Sequence, residues 1–212
     1  MKFSKQFKKS FSYTWYMYLL AIVLPAVIFP LSYSFMHRAK QHETLSIFLP
    51  CYANDDAEDK LFEEFKDLGI RKTEVIVADI GESEYEFSRK LSVVAYNRCD
   101  LMIIPEDKLE KVGIQTAALE LTSEVKNLCK ISDEKIYVTE EKEWGVELPK
   151  NTPLKDVSKL KDDTNYYAFI SAKSWNIGEY SNSKVNTENA FKFMQYVLGK
   201  KQWKIKREKL IF

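Results

Sequence analysis

TLSIFLPCYANDDAEDKLFEEFKDLGIRKTEVIVADI, residues 44–80, carries the signals of a strand, a helix and a second strand in succession. The apolar run at 45–49 ends at Pro50, which is typical of a buried strand. A set of apolar residues then recurs at helical spacing: Leu61, Phe62, Phe65 and Leu68. Gly69 ends this predicted helix, and residues 74–80, EVIVADI, form the next predicted strand.

A second helix and a third strand follow on the carboxyl side. Ser83 and Glu84 begin the helix, which runs to about Arg98. Its inner stripe consists of Phe87, Leu91, Val94 and Ala95. LMII at 101–104 is the third predicted strand and ends at Pro105. Strands that alternate with helices predict a parallel sheet with right-handed crossovers, and apolar strands indicate helices on both faces. The predicted fold class is therefore α/β.

The second half of this body is less regular. A helix is predicted at 114–129, two short strands at 135–139 and 144–148, and a further strand at 165–171. The charged residues 140–143 are expected to form the turn between the two short strands, and 151–163 a surface loop. Residues 175–183 are predicted to form an exposed loop. A last helix begins at Asn186 or Thr187 and ends at Gly199.

A long apolar stretch precedes the body: WYMYLLAIVLPAVIFPLSYSFM, residues 15–36, contains no charged residue and no histidine. As a helix its 22 residues cover about 33 Å, enough for a hydrocarbon core of about 30 Å. We predict a retained transmembrane helix at 14–36. A cleaved signal peptide is the main alternative, but the stretch is long and has no small-residue cleavage site. A buried soluble helix is the other alternative.

Positive charge predicts the orientation of this helix. Four lysines precede it, whereas only Arg38 and Lys40 follow closely, so the amino terminus is expected in the cytoplasm and the body outside the cell membrane. The resulting organisation has five parts, which are a basic cytoplasmic head at 1–13, the transmembrane helix at 14–36, a juxtamembrane linker at 37–44, an extracytoplasmic domain at 45–199 and a basic amphipathic tail at 200–212.

Charge is segregated along the chain. The head carries +4 and the tail +5, which leaves −8 for the residues between them within a net charge of +1. An acidic body of this kind is a poor nucleic-acid binder, so no nucleic-acid partner is expected. The tail can lie on an anionic membrane surface, or it can be a disordered solubilising end.

Catalytic and metal-binding patterns are absent from the sequence. There is no GxSxG, P-loop or GxGxxG motif, and His42 is the last histidine of the chain. Cys51 could be a nucleophile, but the sequence supplies no base for it. Three scattered cysteines without a CxxC pair give neither a disulfide framework nor a zinc site. We therefore predict that the protein is not an enzyme and has no metal or other cofactor.

Binding residues are expected where the parallel strands end, because ligands of open α/β sheets bind at the carboxyl ends of the strands. The candidates are Tyr52, Asn54 and Asp55 after the first strand, and Glu82 and Ser83 after the second. Helix capping is the alternative for the polar residues among them. Glu106 and Asp107 follow the third strand, with plain solvent exposure as the alternative. Trp144 and Trp175 are added as aromatic platforms, with core packing as the alternative.

Several segments carry a resemblance to a known family. They are residues 44–77 quoted above, EYEFSRKLSVVAYNRCDLMIIPED (84–107), EWGVELP (143–149), YYAFISAKSWN (166–176) and NTENAFKFMQYVLG (186–199). In this order they resemble the extracellular solute-binding proteins of bacterial ABC importers, which have the type II periplasmic binding fold. Members of that family have two lobes, and this chain has the length for one.

The resemblance implies a single Rossmann-like three-layer domain, similar to one lobe, behind the transmembrane helix. It implies a membrane-anchored protein of solute-binding type, an accessory or substrate-binding component of an ABC-type transporter. The implied partners are the lipid bilayer, a permease or other membrane protein, and a small solute such as a sugar, an amino acid or a peptide. A shared pocket of Tyr52, Asn54 and Trp144 is expected. The alternative is a structural or interaction subunit of a membrane complex that binds no ligand.

Overall fold

The computed structural model describes residues 3–78, 83–132, 134–178 and 188–200. The chain divides into two compact units, one that ends at Ala39 and one that begins at Lys40. The first unit is the helix α1, Phe3–His37, which starts eleven residues before the predicted membrane segment.

Within α1, the segment Trp15–His37 is long and apolar enough to cross a membrane by its length and composition. The most apolar 18 residues of this segment have a mean hydropathy of 2.1, and none of them is buried. Pro25 and Pro30 lie inside the helix. The prediction of one apolar helix near the amino terminus is confirmed.

The second unit contains a six-stranded sheet. Its strands are β1 Thr44–Leu49, β2 Lys72–Val77, β3 Leu101–Pro105, β4 Ile136–Thr139, β5 Lys142–Glu147 and β6 Tyr166–Ile170. The order across the sheet is β2-β1-β3-β6-β5-β4. β1, β2 and β3 are parallel, as predicted, whereas β6, β5 and β4 pair antiparallel. The sheet is therefore mixed.

Helices cover both faces of this sheet. They are α2 Ala57–Phe65, α3 Glu84–Lys90, α4 Tyr96–Arg98, α5 Leu109–Val112, α6 Ser123–Cys129 and α7 Asn189–Val197. Alternate residues of β1 point to opposite faces. Ile47 belongs to the core under α2, α6 and α7, whereas Phe48 packs with Phe87 of α3 on the other side. The α/β class is confirmed, while the likeness to a lobe of a binding protein stays a prediction.

The predicted helix at 114–129 is wrong over most of its length. Residues 114–116 form one 3₁₀ turn, and a regular helix exists only in α6. Between them the chain is extended, because Leu119 N–H donates to Ile170 O at 2.8 Å and Leu121 N–H donates to Glu143 O at 2.8 Å. These long-range bonds to β6 and β5 override the local helical pattern. The Thr122 hydroxyl then accepts Val125 N–H and starts α6.

A buried carboxylate ties the amino ends of the parallel strands together. Asp100, just before β3, is 4% exposed. Its Oδ2 accepts a hydrogen bond from Ser46 N–H at 2.7 Å and one from Ser46 Oγ at 3.1 Å. Its Oδ1 accepts from Ser174 Oγ at 2.5 Å and from Asn176 Nδ2 at 3.1 Å. Burial raises the pKa of Asp100, and the hydrogen bonds from Ser174, Ser46 and Asn176 oppose that rise.

The Asp100 bonds link β1, β3 and the segment that follows β6. Asp100→Asn places an amide N–H₂ against donors that need an acceptor, so we expect a loss of about 3 kcal/mol in the free energy of unfolding. The measurement is urea unfolding of the full chain in detergent, monitored by tryptophan fluorescence. Asp107→Asn, at an exposed position beyond β3, is the matched control and should change little. Equal unfolding free energies for both variants would contradict this role of Asp100.

Candidate functional site

The carboxyl ends of β1, β2 and β3 lie at one edge of the sheet, here called the carboxyl edge. Pro105 at the end of β3 pairs with Tyr166, and Glu147 at the end of β5 pairs with Tyr167. The beginning of β6 and the end of β5 therefore join the same edge. This arrangement collects the loops after β1, β3 and β5 in one place.

The loop after β1 carries three of the predicted site residues. Tyr52 is 59% exposed, and its carbonyl accepts Lys159 N–H at 3.0 Å. Asn54 N–H donates to Val157 O at 2.9 Å, and its Nδ2 donates to Asp156 O at 3.1 Å. Asp55 is exposed. The Asn54 side chain thus fixes its loop to the segment before β6 and caps no helix.

Ser83 is the N-cap of α3, since its Oγ accepts a hydrogen bond from Glu86 N–H at 3.3 Å. This is the capping alternative that the sequence offered for it. Glu82 lies outside the described residues, so its predicted role in ligand binding stays a prediction.

Both predicted tryptophans lie at the opposite edge, where β1, β2 and β3 begin, here called the amino edge. Trp144 is next to Gly145, which pairs with Phe169, while Ile170 pairs with Leu101 at the start of β3. Trp144 is 9% exposed and donates from Nε1 to Thr139 O at 3.3 Å. Because β5 runs antiparallel to β6, its first half, which contains Trp144, lies at the amino edge. The structure therefore does not bring Trp144 into a pocket with Tyr52 and Asn54.

Trp175 follows β6, whose carboxyl end lies at the amino edge beside the start of β3. Its side chain is 42% exposed, so core packing does not account for it fully. It also lies apart from the Tyr52 loop, at the far end of the strands. The six predicted site residues that the structure describes therefore form no single site.

A polar cluster occupies the carboxyl edge, and Glu106 is the only member that the sequence singled out as a candidate. Lys135 Nζ lies 3.4 Å from Glu106 Oε1 and 3.3 Å from Glu147 Oε2. Tyr167 OH lies 3.5 Å from Glu106 Oε1 and 3.4 Å from Glu147 Oε2. Asn165 Nδ2 donates to the other oxygen of Glu106 at 2.9 Å. We call these five residues the Glu106 cluster.

The pKa shifts in the Glu106 cluster favour the ordinary charge states. The hydrogen bond from Asn165 is the main reason that the pKa of Glu106 is lowered. Burial raises the pKa of Tyr167, and the hydrogen bond with Tyr167 is the first of several causes that raise the pKa of Lys135. At neutral pH Glu106 is therefore ionised, Lys135 protonated and Tyr167 neutral. The cluster presents fixed charges and does not exchange a proton near neutrality.

An open depression adjoins this cluster. Glu106 and Asn165 belong to both. The remaining residues around the depression are Asp107, Lys161, Asp163 and Thr164. It therefore offers carboxylates, an ammonium group, a hydroxyl and an amide to a polar molecule.

Metal binding and thiol chemistry find no support in the described residues. No group of three or more His, Cys, Asp or Glu side chains there could hold a metal ion. Cys51, Cys99 and Cys129 are buried and form no disulfide. Burial raises the pKa of Cys129 to about 12 and also raises the pKa of Cys99. These two thiols are therefore held in the unreactive protonated form.

No family model, curated protein or solved structure matches this chain. The resemblance to extracellular solute-binding proteins thus rests on the sequence segments that suggested it. What the structure defines is the class: an α/β protein with a mixed six-stranded sheet and one candidate membrane helix.

The loop contacts give a direct test of what Asn54 does. Asn54→Ala removes the bond from Nδ2 to Asp156 O, so we expect a loss of about 1 kcal/mol in the free energy of unfolding. Asp55→Ala, at the exposed neighbouring position, should stay within about 0.5 kcal/mol of the wild type. Thermal unfolding of the full chain in detergent measures both. An Asn54 variant as stable as the Asp55 variant would show that the loop does not depend on this amide.

Proposed function

We propose that the protein is a membrane-anchored, extracytoplasmic binding protein that serves as an accessory or substrate-binding component of an ABC-type transporter. The observation that carries this proposal is the polar depression beside the Glu106 cluster. It lies at the edge of the sheet where α/β proteins bind their ligands. The candidate membrane helix in the same chain supplies the anchor.

The exposure of the Trp15–His37 segment supports membrane anchorage. A solvent-exposed helix of this hydropathy would leave a large apolar surface in water, and a bilayer removes that cost. The lysines before the segment favour an amino terminus in the cytoplasm and the sheet domain on the outer side.

The charges around the depression support a small polar solute. Glu106 and Asp163 provide carboxylates, and Lys161 provides a cation, within one open site. A zwitterion such as an amino acid or a short peptide can use both signs, and a sugar can use the amide of Asn165 and the hydroxyl of Thr164. Tyr52, exposed on the loop after β1, adds an aromatic face at the same edge.

Binding without catalysis is favoured by the same groups. The ordinary charge states of Glu106, Lys135 and Tyr167 supply no acid or base near neutral pH. The buried thiols of Cys99 and Cys129 supply no nucleophile.

A second candidate function is an interaction subunit of a membrane complex that binds no solute. The openness of the depression favours it, because no second lobe covers this edge in the described part of the chain. Such a surface suits a flat protein partner as well as a small molecule. In that case the Glu106 cluster would contact a permease or another membrane protein.

The two candidates are separated by thermal unfolding of the full chain in lipid nanodiscs with amino acids, di- and tripeptides, and sugars. Solute binding predicts that one class stabilises the protein by about 2.7 kcal/mol at a hundred times its Kd. The Tm of a domain of this size should then rise by about 5 °C or more.

Glu106→Gln should weaken that shift, and Glu124→Gln, exposed on α6, should preserve it. If no compound in the panel shifts the Tm, the solute-binding proposal is wrong. Purification of the chain with a membrane partner that Glu106→Gln disrupts would then favour the interaction subunit.

A further inference from the structure

The segment after β6 is held unusually firmly for a loop. The side chains of Ser174 and Asn176 are 3% and 0% exposed, and both donate to the buried Asp100 carboxylate. Asn176 Nδ2 also donates to Thr44 O at 2.9 Å, and Asn176 N–H donates to Ser174 Oγ at 3.0 Å. This loop is therefore fixed to the first residue of β1 and to the start of β3.

Trp175 lies between these two buried residues and is 42% exposed. Because its neighbours are held inward by hydrogen bonds, its own side chain is directed to the surface of the amino edge. An exposed tryptophan on a rigid segment resembles a binding residue more than a residue of a solvated loop, because the indole exposes a large apolar area.

The chain connection places this edge close to the membrane if α1 spans it. The candidate span ends at His37, and β1 begins at Thr44. The connection includes a 3₁₀ turn at Gln41–Glu43, so its reach is about 20 Å at most. Asn176 contacts the carbonyl of Thr44, and Trp175 is the residue before it. Trp175 therefore lies beside the point where the tether enters the domain.

The surroundings of Trp175 suit a lipid surface. Lys173 is exposed and donates from Nζ to Asn97 Oδ1 at 2.9 Å. Lys72, opposite Thr44 in the register of β2 and β1, is also exposed, with 54% of its side chain accessible, and its Nζ pairs with Glu74 Oε1 at 2.6 Å. Tryptophan favours the membrane–water interface, and lysine side chains reach lipid phosphates from there.

We propose that Trp175 inserts into the headgroup region of the outer leaflet. Asp100, Ser174 and Asn176 are positioning residues that hold the indole in place. This inference rests on the proposed membrane anchorage and adds a second attachment to it.

The test uses the full chain in phosphatidylcholine nanodiscs, with and without lipids brominated at the 6 and 7 positions of one acyl chain. Bromine quenches tryptophan fluorescence at short range. Subtracting the emission of Trp175→Phe from that of the wild type isolates the emission of Trp175. The same subtraction with Trp15→Phe gives the emission of Trp15, at the start of the span. With Trp144→Phe it gives the emission of the packed Trp144 indole, which is the control.

We expect brominated lipid to reduce the emission of Trp175 as strongly as that of Trp15 and to leave Trp144 unchanged. Quenching of Trp15 without quenching of Trp175 overturns the inference and leaves the anchor intact. That result would also be expected if Trp175 contacts a protein partner or a solute. An unquenched Trp15 shows instead that the membrane anchorage itself fails. If Trp175→Phe lowers the Tm, Trp175→Tyr provides the same subtraction with excitation at the red edge of the tryptophan band.

Discussion

The carboxylate of Asp100 accepts hydrogen bonds from both β1 and the segment after β6, at a depth where a bare charge would be costly. Every donor around it is therefore needed, and the donors come from two distant parts of the chain, Ser46 in β1 and Ser174 and Asn176 after β6. This requirement fixes how β1, β3 and β6 meet at the amino edge. β6 returns antiparallel beside β3, and that return brings Asn165 to Glu106 at the other edge.

The two edges of the sheet consequently differ in character. The amino edge is bound together by a buried polar network and receives the tether from α1 at Thr44. The carboxyl edge carries charged side chains that are partly exposed, such as Glu106 and Lys135, and an open depression. Under the proposed function, this division separates attachment from recognition, because the depression lies at the opposite end of the strands from the buried Asp100 network.

Local pattern was sufficient to predict the first half of the domain. The strands near 45, 74 and 101 are bounded by Pro50, Gly69 and Pro105, and these signals act within a few residues. The predicted helix at 114–129 is wrong over most of its length because the backbone N–H groups of Leu119 and Leu121 donate hydrogen bonds to distant strands. The sequence singled out Glu106 but not the four residues around it, for a related reason. The members of the Glu106 cluster come from four separate segments, which are brought together by the antiparallel pairing of β6 with β3 and β5 and of β5 with β4.

The central claim is that a permanent membrane anchor carries an α/β domain on the outer side of a cell membrane. Its most direct test is protease treatment of intact bacterial spheroplasts that express the full chain, combined with extraction of their membranes at alkaline pH. We expect the chain to stay in the membrane pellet and external protease to digest the domain from Lys40 onward. A chain released by alkaline extraction, or a domain protected until the spheroplasts are lysed, would contradict it.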